Sequence, residues 1–182
     1  TDKMVLNWYE HKKFTTLYVD GNHENFEALL SYPETEYAGA KCQKIRPHVL
    51  HIRRGEVLHL CGHKIWCMGG ASSHDKEYRI EHISWWKQEE PSEAEWRHAE
   101  ETLLREKPDI IITHEAPARL IAEESRNLAS PVARAFERIA VLIEENHIPV
   151  TNWFFGHHHM DAAWKEGKIT YCCLYHQVIR IL

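Results

Sequence analysis

Apolar and polar positions along this chain follow two rhythms, one with a period near 3.6 and one near 2. Residues 4–13 (MVLNWYEHKK) read as the end of a helix with Val5, Trp8 and Tyr9 on one side. The run 15–19 is strand-like and stops at Asp20-Gly21-Asn22-His23-Glu24, after which an amphipathic helix reaches about Leu30. HVLHI (48–52) alternates as a strand does. Residues 56–68 read as two strands around a tight turn at Gly62-His63, and GGASSHD leaves the second as a loop. This hairpin predicts an antiparallel portion of sheet. Pro91-Ser92 followed by Glu95 has the pattern of a capping box and opens a helix to about Glu106, before Pro108. DIIITHEAP (109–117) is an apolar strand ending in a polar loop. Pro131 starts a long amphipathic helix to about Glu145, with Val132, Phe136, Ile139, Ala140 and Ile143 at helical spacing. Residues 151–160 form a strand running into a polar turn, and 168–182 complete the chain as one or two further strands.

That pattern also places the chemistry. Three apolar strands end in polar, histidine-bearing loops: Asn22-His23, His114, and His157-His158-His159. Were the strands neighbours pointing the same way, the loops would converge at the carboxyl edge of a sheet, where open α/β sheets bind ligands. Asn22-His23-Glu24 taken alone has two readings, a cap for the following helix or a ligand-holding turn. Imidazole and the asparagine amide oxygen suit manganese, iron and zinc. The chain carries fifteen histidines, which points to metal or proton chemistry for some of them.

Composition narrows the classes. At 182 residues the chain fits one domain spanning 1–182, with 43% hydrophobic and 27% charged residues. A net charge of −5 does not favour a broad nucleic-acid surface. No apolar run approaches the roughly 20 residues that span a bilayer, and no signal-peptide pattern opens the chain. The expectation is a cytoplasmic protein without a membrane partner. Five cysteines include no C-x-x-C pair, so buried free thiols are expected, with Cys61 and Cys67 on the hairpin and Cys172 and Cys173 on opposite faces of a late strand.

GNHE (21–24), THEAP (113–117) and GHHH (156–159) occur in that order, each ending a strand. With GGASSHD and Trp85-Trp86, they resemble the calcineurin-like metallophosphoesterase superfamily, most closely its small bacterial members. The resemblance implies an α/β fold of two packed mixed β-sheets flanked by helices, an αββα sandwich. It implies hydrolysis of a phosphate mono- or diester by a metal-activated water. Residue by residue, it implies that Asn22, His114 and His157 hold one divalent metal ion, that His159 holds a second, and that His23 is the catalytic imidazole. The two ions would be manganese, iron or zinc, with manganese ahead of the others. His158 falls at a variable position and is expected to be a neighbour, and Glu24 to orient its surroundings or to place charge at the helix start. His74 is a candidate for the phosphate rim, against the simpler reading of a solvated loop histidine. Of Trp85 and Trp86, one is expected to pack inward.

The superfamily's Asp-x-His and Gly-Asp-x-x-Asp motifs precede its GNH motif, and neither occurs here before Gly21. The resemblance therefore implies a domain lacking its first strands and the carboxylates that complete a dinuclear centre. The chain is then part of a longer polypeptide, a truncated product completed by a partner or an exchanged strand, or a degenerate domain. Two functions follow as expectations: a phosphoesterase, or a non-catalytic protein-binding module or inactive fragment of the same fold.

Overall fold

The computed structural model describes residues 2–120 and 129–181. Helix α1 (Asp2–Glu10) leads into strand β1 (Thr16–Tyr18) and helix α2 (Phe26–Ser31). Strands β2 (Glu34–Tyr37), β3 (Ala40–Arg46) and β4 (Val49–Ile52) follow, then the hairpin β5 (Glu56–Leu60) and β6 (His63–Met68). Helix α3 (Glu93–Glu106), strand β7 (Ile110–Thr113), helix α4 (Pro131–Glu145) and strands β8 (Asn152–Phe155), β9 (Ala162–Glu166) and β10 (Ile169–Cys173) complete the described chain.

The strands form two mixed sheets. The four-stranded sheet has the order β1-β4-β3-β2, with β1 parallel to β4 and the other pairs antiparallel. The six-stranded sheet has the order β5-β6-β7-β8-β10-β9, whose four central strands run parallel between two antiparallel edges.

Side-chain alternation explains why the sheets face each other. Along β6, Ile65 and Cys67 enter one apolar cluster while Trp66 and Met68 enter another. Residues β7 Ile110 and Ile111, and β8 Phe154 and Phe155, divide in the same way. A strand buried on both faces reads as a continuous apolar run, which is the reason for Ile110-Ile111-Ile112 and Trp153-Phe154-Phe155. The inner cluster joins Ala40, Cys42, Leu50 and Ile52 of the small sheet to Leu58, Ile65, Ile110 and Phe154 of the large one. Outside the large sheet, α3 and α4 contribute Ala99, Leu103, Val132, Phe136, Ile139, Ala140 and Ile143. Outside the small sheet, Leu6 and Tyr9 of α1 and Phe26 and Leu29 of α2 cover Tyr18, Ile45 and Val49. The layers run helix, sheet, sheet, helix.

Local signals account for most boundaries. The α3 capping box is complete, with Ser92 accepting from Glu95 N–H and Glu95 accepting from Ser92 N–H. Ser130 caps α4, and Pro131 occupies its first turn, where a missing N–H costs nothing. Three expectations need correction. The β5–β6 turn is Cys61-Gly62, one residue earlier than the pattern suggested; φ of 51° and 84° at its two central residues is the type I′ pattern, which matches the twist of the flanking strands. That turn also leaves Cys61 exposed, whereas the other four cysteines are buried. Strands β2, β3 and β9 were not expected. β2 and β9 are edge strands with charged or exposed faces, and β3 hides Gln43 at a buried position. Of the one or two strands expected over 168–182, the structure has one, β10; residues 174–181 contain no further strand, and Leu182 lies outside the described residues.

Phe136 is completely buried and meets Trp96 edge-on at 5.1 Å and Trp153 at 6.1 Å. Phe136→Ala removes that bridge between α4, α3 and the sheet and should cost about 3–5 kcal/mol in chemical denaturation. An effect below about 1 kcal/mol would mean that the outer layer is not packed as described.

Candidate functional site

Strands β7 and β8 are parallel neighbours, so the THE and GHHH loops leave the large sheet side by side. Gly156 N–H donates to the His114 carbonyl at 3.1 Å and ties the two loops together. The Asn22-His23 turn follows β1, which belongs to the opposite sheet, so convergence occurs across the sandwich rather than along one sheet edge. It does occur. His114 Nε2 lies 3.2 Å from Asn22 Oδ1, and the His114 and His157 rings stand edge to face with centroids 5.1 Å apart. His74 lies 6.4 Å from His157, ring to ring. Gly21 permits the approach, because a Cβ there would sit 3.0 Å from His114 Cε1.

The question of cap or ligand-holding turn has a structural answer. Helix α2 is capped by Asn25, whose side chain accepts from Ala28 N–H at 2.9 Å. Asn22 is buried and caps nothing. Its Nδ2 donates to Ser73 Oγ at 3.0 Å and stands 3.3 Å from His23 Nε2. His23 and His74 are exposed at the mouth, and His157 is largely enclosed.

The GHHH loop takes an unusual path. His157 and His159 both adopt the left-handed conformation, with φ of 64° and 49°. Non-glycine residues held there cost on the order of 1–3 kcal/mol each and persist where surrounding contacts impose them. For His158 the contact is Glu115, a buried carboxylate accepting from Nε2 at 2.7 Å, with His157 Nε2 at 3.6 Å. His158 is thus held by Glu115 beside His157. His159 is exposed and stacks on Tyr175 with centroids 4.9 Å apart. The structure does not bring it into contact with Asn22 or His114. Trp86 packs under α2 beside Phe26, and Trp85 is half-buried, so the inward tryptophan is Trp86.

Burial governs the electrostatics. It pushes the His114 imidazole down to about 4, reinforced by neighbouring His157, which burial also lowers. Both rings are neutral near pH 7. Burial alone would raise Glu115, but the bond from His158 and the nearby His157 hold it below the usual carboxylate range. Asp20, two residues beyond β1, follows the same logic. Burial raises it, and the Arg54 guanidinium with the His51 bond more than reverses that, to about 2. Arg54 reaches Asp20 Oδ2 through Nη2 at 2.6 Å and Nε at 3.0 Å, and His51 Nε2 lies 2.9 Å from Oδ1.

Asn22, His114 and His157 are neutral oxygen and nitrogen donors of the kind that borderline divalent ions accept. They fit part of the coordination of one ion. They do not fit a pair, because His159 is stacked on Tyr175 and the nearby carboxylates Asp20 and Glu115 are already engaged in hydrogen bonds with Arg54, His51 and His158. Among the described residues, no cluster of three or more His, Cys, Asp or Glu side chains forms a ready metal site. Sequence reasoning missed Glu115, Ser73, Glu89 and the Asp20–Arg54–His51 group. Glu115 was visible as the residue after His114. Arg54 and Glu89 gave no local signal, because their partners are distant in sequence. A cleft of about 800 Å³ on the outer side of the small sheet is lined by His51, Arg53, Arg54, Lys87 and Glu95, and the clustered histidines do not line it.

No protein-family model matches this sequence, and no curated protein matches it. No described helix is long and apolar enough to cross a membrane.

Asp20 makes the site dependent on acid conditions in a defined sense. Its folded value of about 2 lies below the ordinary 3.8. Its stabilisation is therefore present above about pH 4 and is lost as pH falls through the folded value. Arg54→Met leaves the carboxylate buried without its main partner and should cost about 3–5 kcal/mol at pH 7, with part recovered in the double variant Asp20→Asn/Arg54→Met. Urea denaturation of the three proteins at pH 7 and pH 3 tests this. A single variant as stable as the parent would show that the pair is not the brace described.

Proposed function

We propose that this chain is a metal-dependent phosphoesterase domain. Asn22, His114 and His157 would hold a divalent cation, and His23 would face the substrate phosphate. The observation that carries the reading is the meeting of three strand-end loops from two sheets, through the 3.2 Å Asn22–His114 contact and the 5.1 Å His114–His157 ring contact. Neutral imidazoles keep their lone pairs available at physiological pH. When bound, the cation would polarise the phosphate and supply an activated water.

The chain's own residues have separable tasks. Asn22 and His114 are buried enough to be rigid donors. His23 stands exposed at the mouth, next to Asn22, where an imidazole can donate to a leaving oxygen or a developing negative charge. His74 lies on the rim beside His157 and suits a contact with a phosphate oxygen. A second ion, at His159, would need carboxylates other than Asp20 and Glu115. Manganese, iron and zinc all suit these donors, and manganese is the first to try. The engagement of both nearby carboxylates favours one alternative, a protein-binding module on the same scaffold.

Calorimetric titration with Mn²⁺, followed by assays on p-nitrophenyl phosphate and bis(p-nitrophenyl) phosphate, separates the readings. The expected result is saturable binding of about one ion per chain that is lost in His157→Ala, together with hydrolysis of at least one ester. His23→Ala should then reduce kcat by about 10²–10⁴-fold while leaving Mn²⁺ binding intact. Absence of both binding and hydrolysis would overturn the phosphoesterase reading in favour of the module.

A further inference from the structure

Glu89 is fully buried, yet its carboxylate touches neither arginine nor lysine. It captures one residue twice: Ser73 N–H donates to Oε1 at 2.7 Å, and the Ser73 hydroxyl donates to Oε2 at 2.6 Å. The Glu89 carbonyl is itself held by Ala71 N–H at 3.2 Å and Arg54 Nη2 at 3.3 Å, which fixes the segment against the GGASS loop.

The bonding has a direction. A carboxylate only accepts, so the Ser73 hydroxyl proton points at Glu89 and its oxygen can only accept from Asn22. The Asn22 atom facing Ser73, at 3.0 Å, must then be the NH₂ group. Its second proton points toward His23 Nε2 at 3.3 Å, and the amide oxygen is left facing His114 Nε2 at 3.2 Å. His114 therefore carries its proton on Nε2, and His23 keeps the Nε2 lone pair with its proton on Nδ1.

We propose that Glu89 is a positioning residue which, through Ser73, sets the orientation of the Asn22 amide and thereby the tautomers of His23 and His114. The relevance of this relay to catalysis rests on the phosphoesterase reading, but the proton placement does not. A merely structural Glu89 would pin two loops together without dictating which ring nitrogen is protonated.

Glu89→Gln tests the direction at constant shape. Ser73 N–H still needs an acceptor, so the Gln carbonyl takes that place and its NH₂ faces the hydroxyl. The hydroxyl, now receiving, is free to donate to Asn22, and the amide turns over. The measurement is two-bond ¹H–¹⁵N correlation of the histidine rings in the metal-free chain at neutral pH, with the amide spectrum reporting folding. The parent should show His114 protonated on Nε2 and His23 on Nδ1. Glu89→Gln should invert the majority form of His114, Ser73→Ala should give a mixture, and Ser73→Thr, which keeps the hydroxyl, should preserve the parental pattern. An unchanged pattern in folded Glu89→Gln and Ser73→Ala, or a parent with His114 protonated on Nδ1, overturns the proposal. Should Glu89→Gln fail to fold, the contrast between Ser73→Ala and Ser73→Thr decides it alone. Inverted tautomers in a chain without phosphatase activity would support the relay and count against the phosphoesterase reading. Lost activity with unchanged tautomers would count against the relay only.

Discussion

The buried ion pair between Asp20 and Arg54 is the constraint around which the site end of the molecule is organised. Asp20 lies just beyond β1, two residues before Asn22, and it is almost completely enclosed. A carboxylate without water is tolerated only with a full set of partners. Arg54 supplies two N–H groups and His51 a third contact, while the Asp20 carbonyl accepts from Gly70 N–H at 3.0 Å. These contacts fasten the end of β1 to the residues after β4 and to the loop after β6. Arg54 also approaches the Glu95 carboxylate at 3.4 Å, drawing in the first turn of α3. The turn carrying Asn22 and His23 can be short and rigid because its preceding residue is anchored in this way.

A second layer of polar contacts builds on that anchor. The GGASS loop, held by Gly70 N–H on one side and by Glu89 on the other, presents Ser73 to Asn22. Across the sandwich, Glu115 plays the corresponding part for the GHHH loop by engaging His158 and standing beside His157. Each half of the site thus has one buried carboxylate behind it that positions a loop and is unavailable for anything else. The two left-handed histidines, 157 and 159, are tolerable in a loop so tied, whereas an unsupported loop would relax.

Legibility in the sequence followed the range of the interaction. Helices α3 and α4 were readable to the residue, because Ser92, Glu95 and Pro131 are local start signals and the apolar spacing continues from them. The large sheet was readable through its apolar strands. Strands β2 and β9 were not, since an edge strand with one solvated face carries few apolar residues, and Gln43 disguised β3. The histidine cluster was visible as three loops, but its assembly from opposite sheets was not, because strand order is set by pairing that leaves no local trace. Arg54 and Glu89 were hidden for the same reason: their partners, Asp20 and Ser73, lie 34 and 16 residues away. Asn25, only three residues beyond Asn22, carried the capping role that had been weighed for its neighbour.

The charge state of the cluster bears directly on what it can bind. Side chains hold a phosphate chiefly through positive charge, from arginine, lysine or protonated histidine. Here burial keeps His114 neutral down to about pH 4 and lowers His157 as well, and Arg54 is committed to Asp20. The described inner wall therefore presents neutral imidazoles and an amide, beside one buried carboxylate, Glu115, that is hydrogen-bonded to His158. Such a wall offers lone pairs, which suit a cation, and very little to an anion. If a phosphate ester is the substrate, its affinity for this end of the sandwich must come chiefly from a cation held on Asn22, His114 and His157, with exposed His23 and His74 contributing only at the rim. Metal dependence would then be a consequence of desolvation: the same burial that strips the imidazoles of protons removes the means of holding the substrate without an ion.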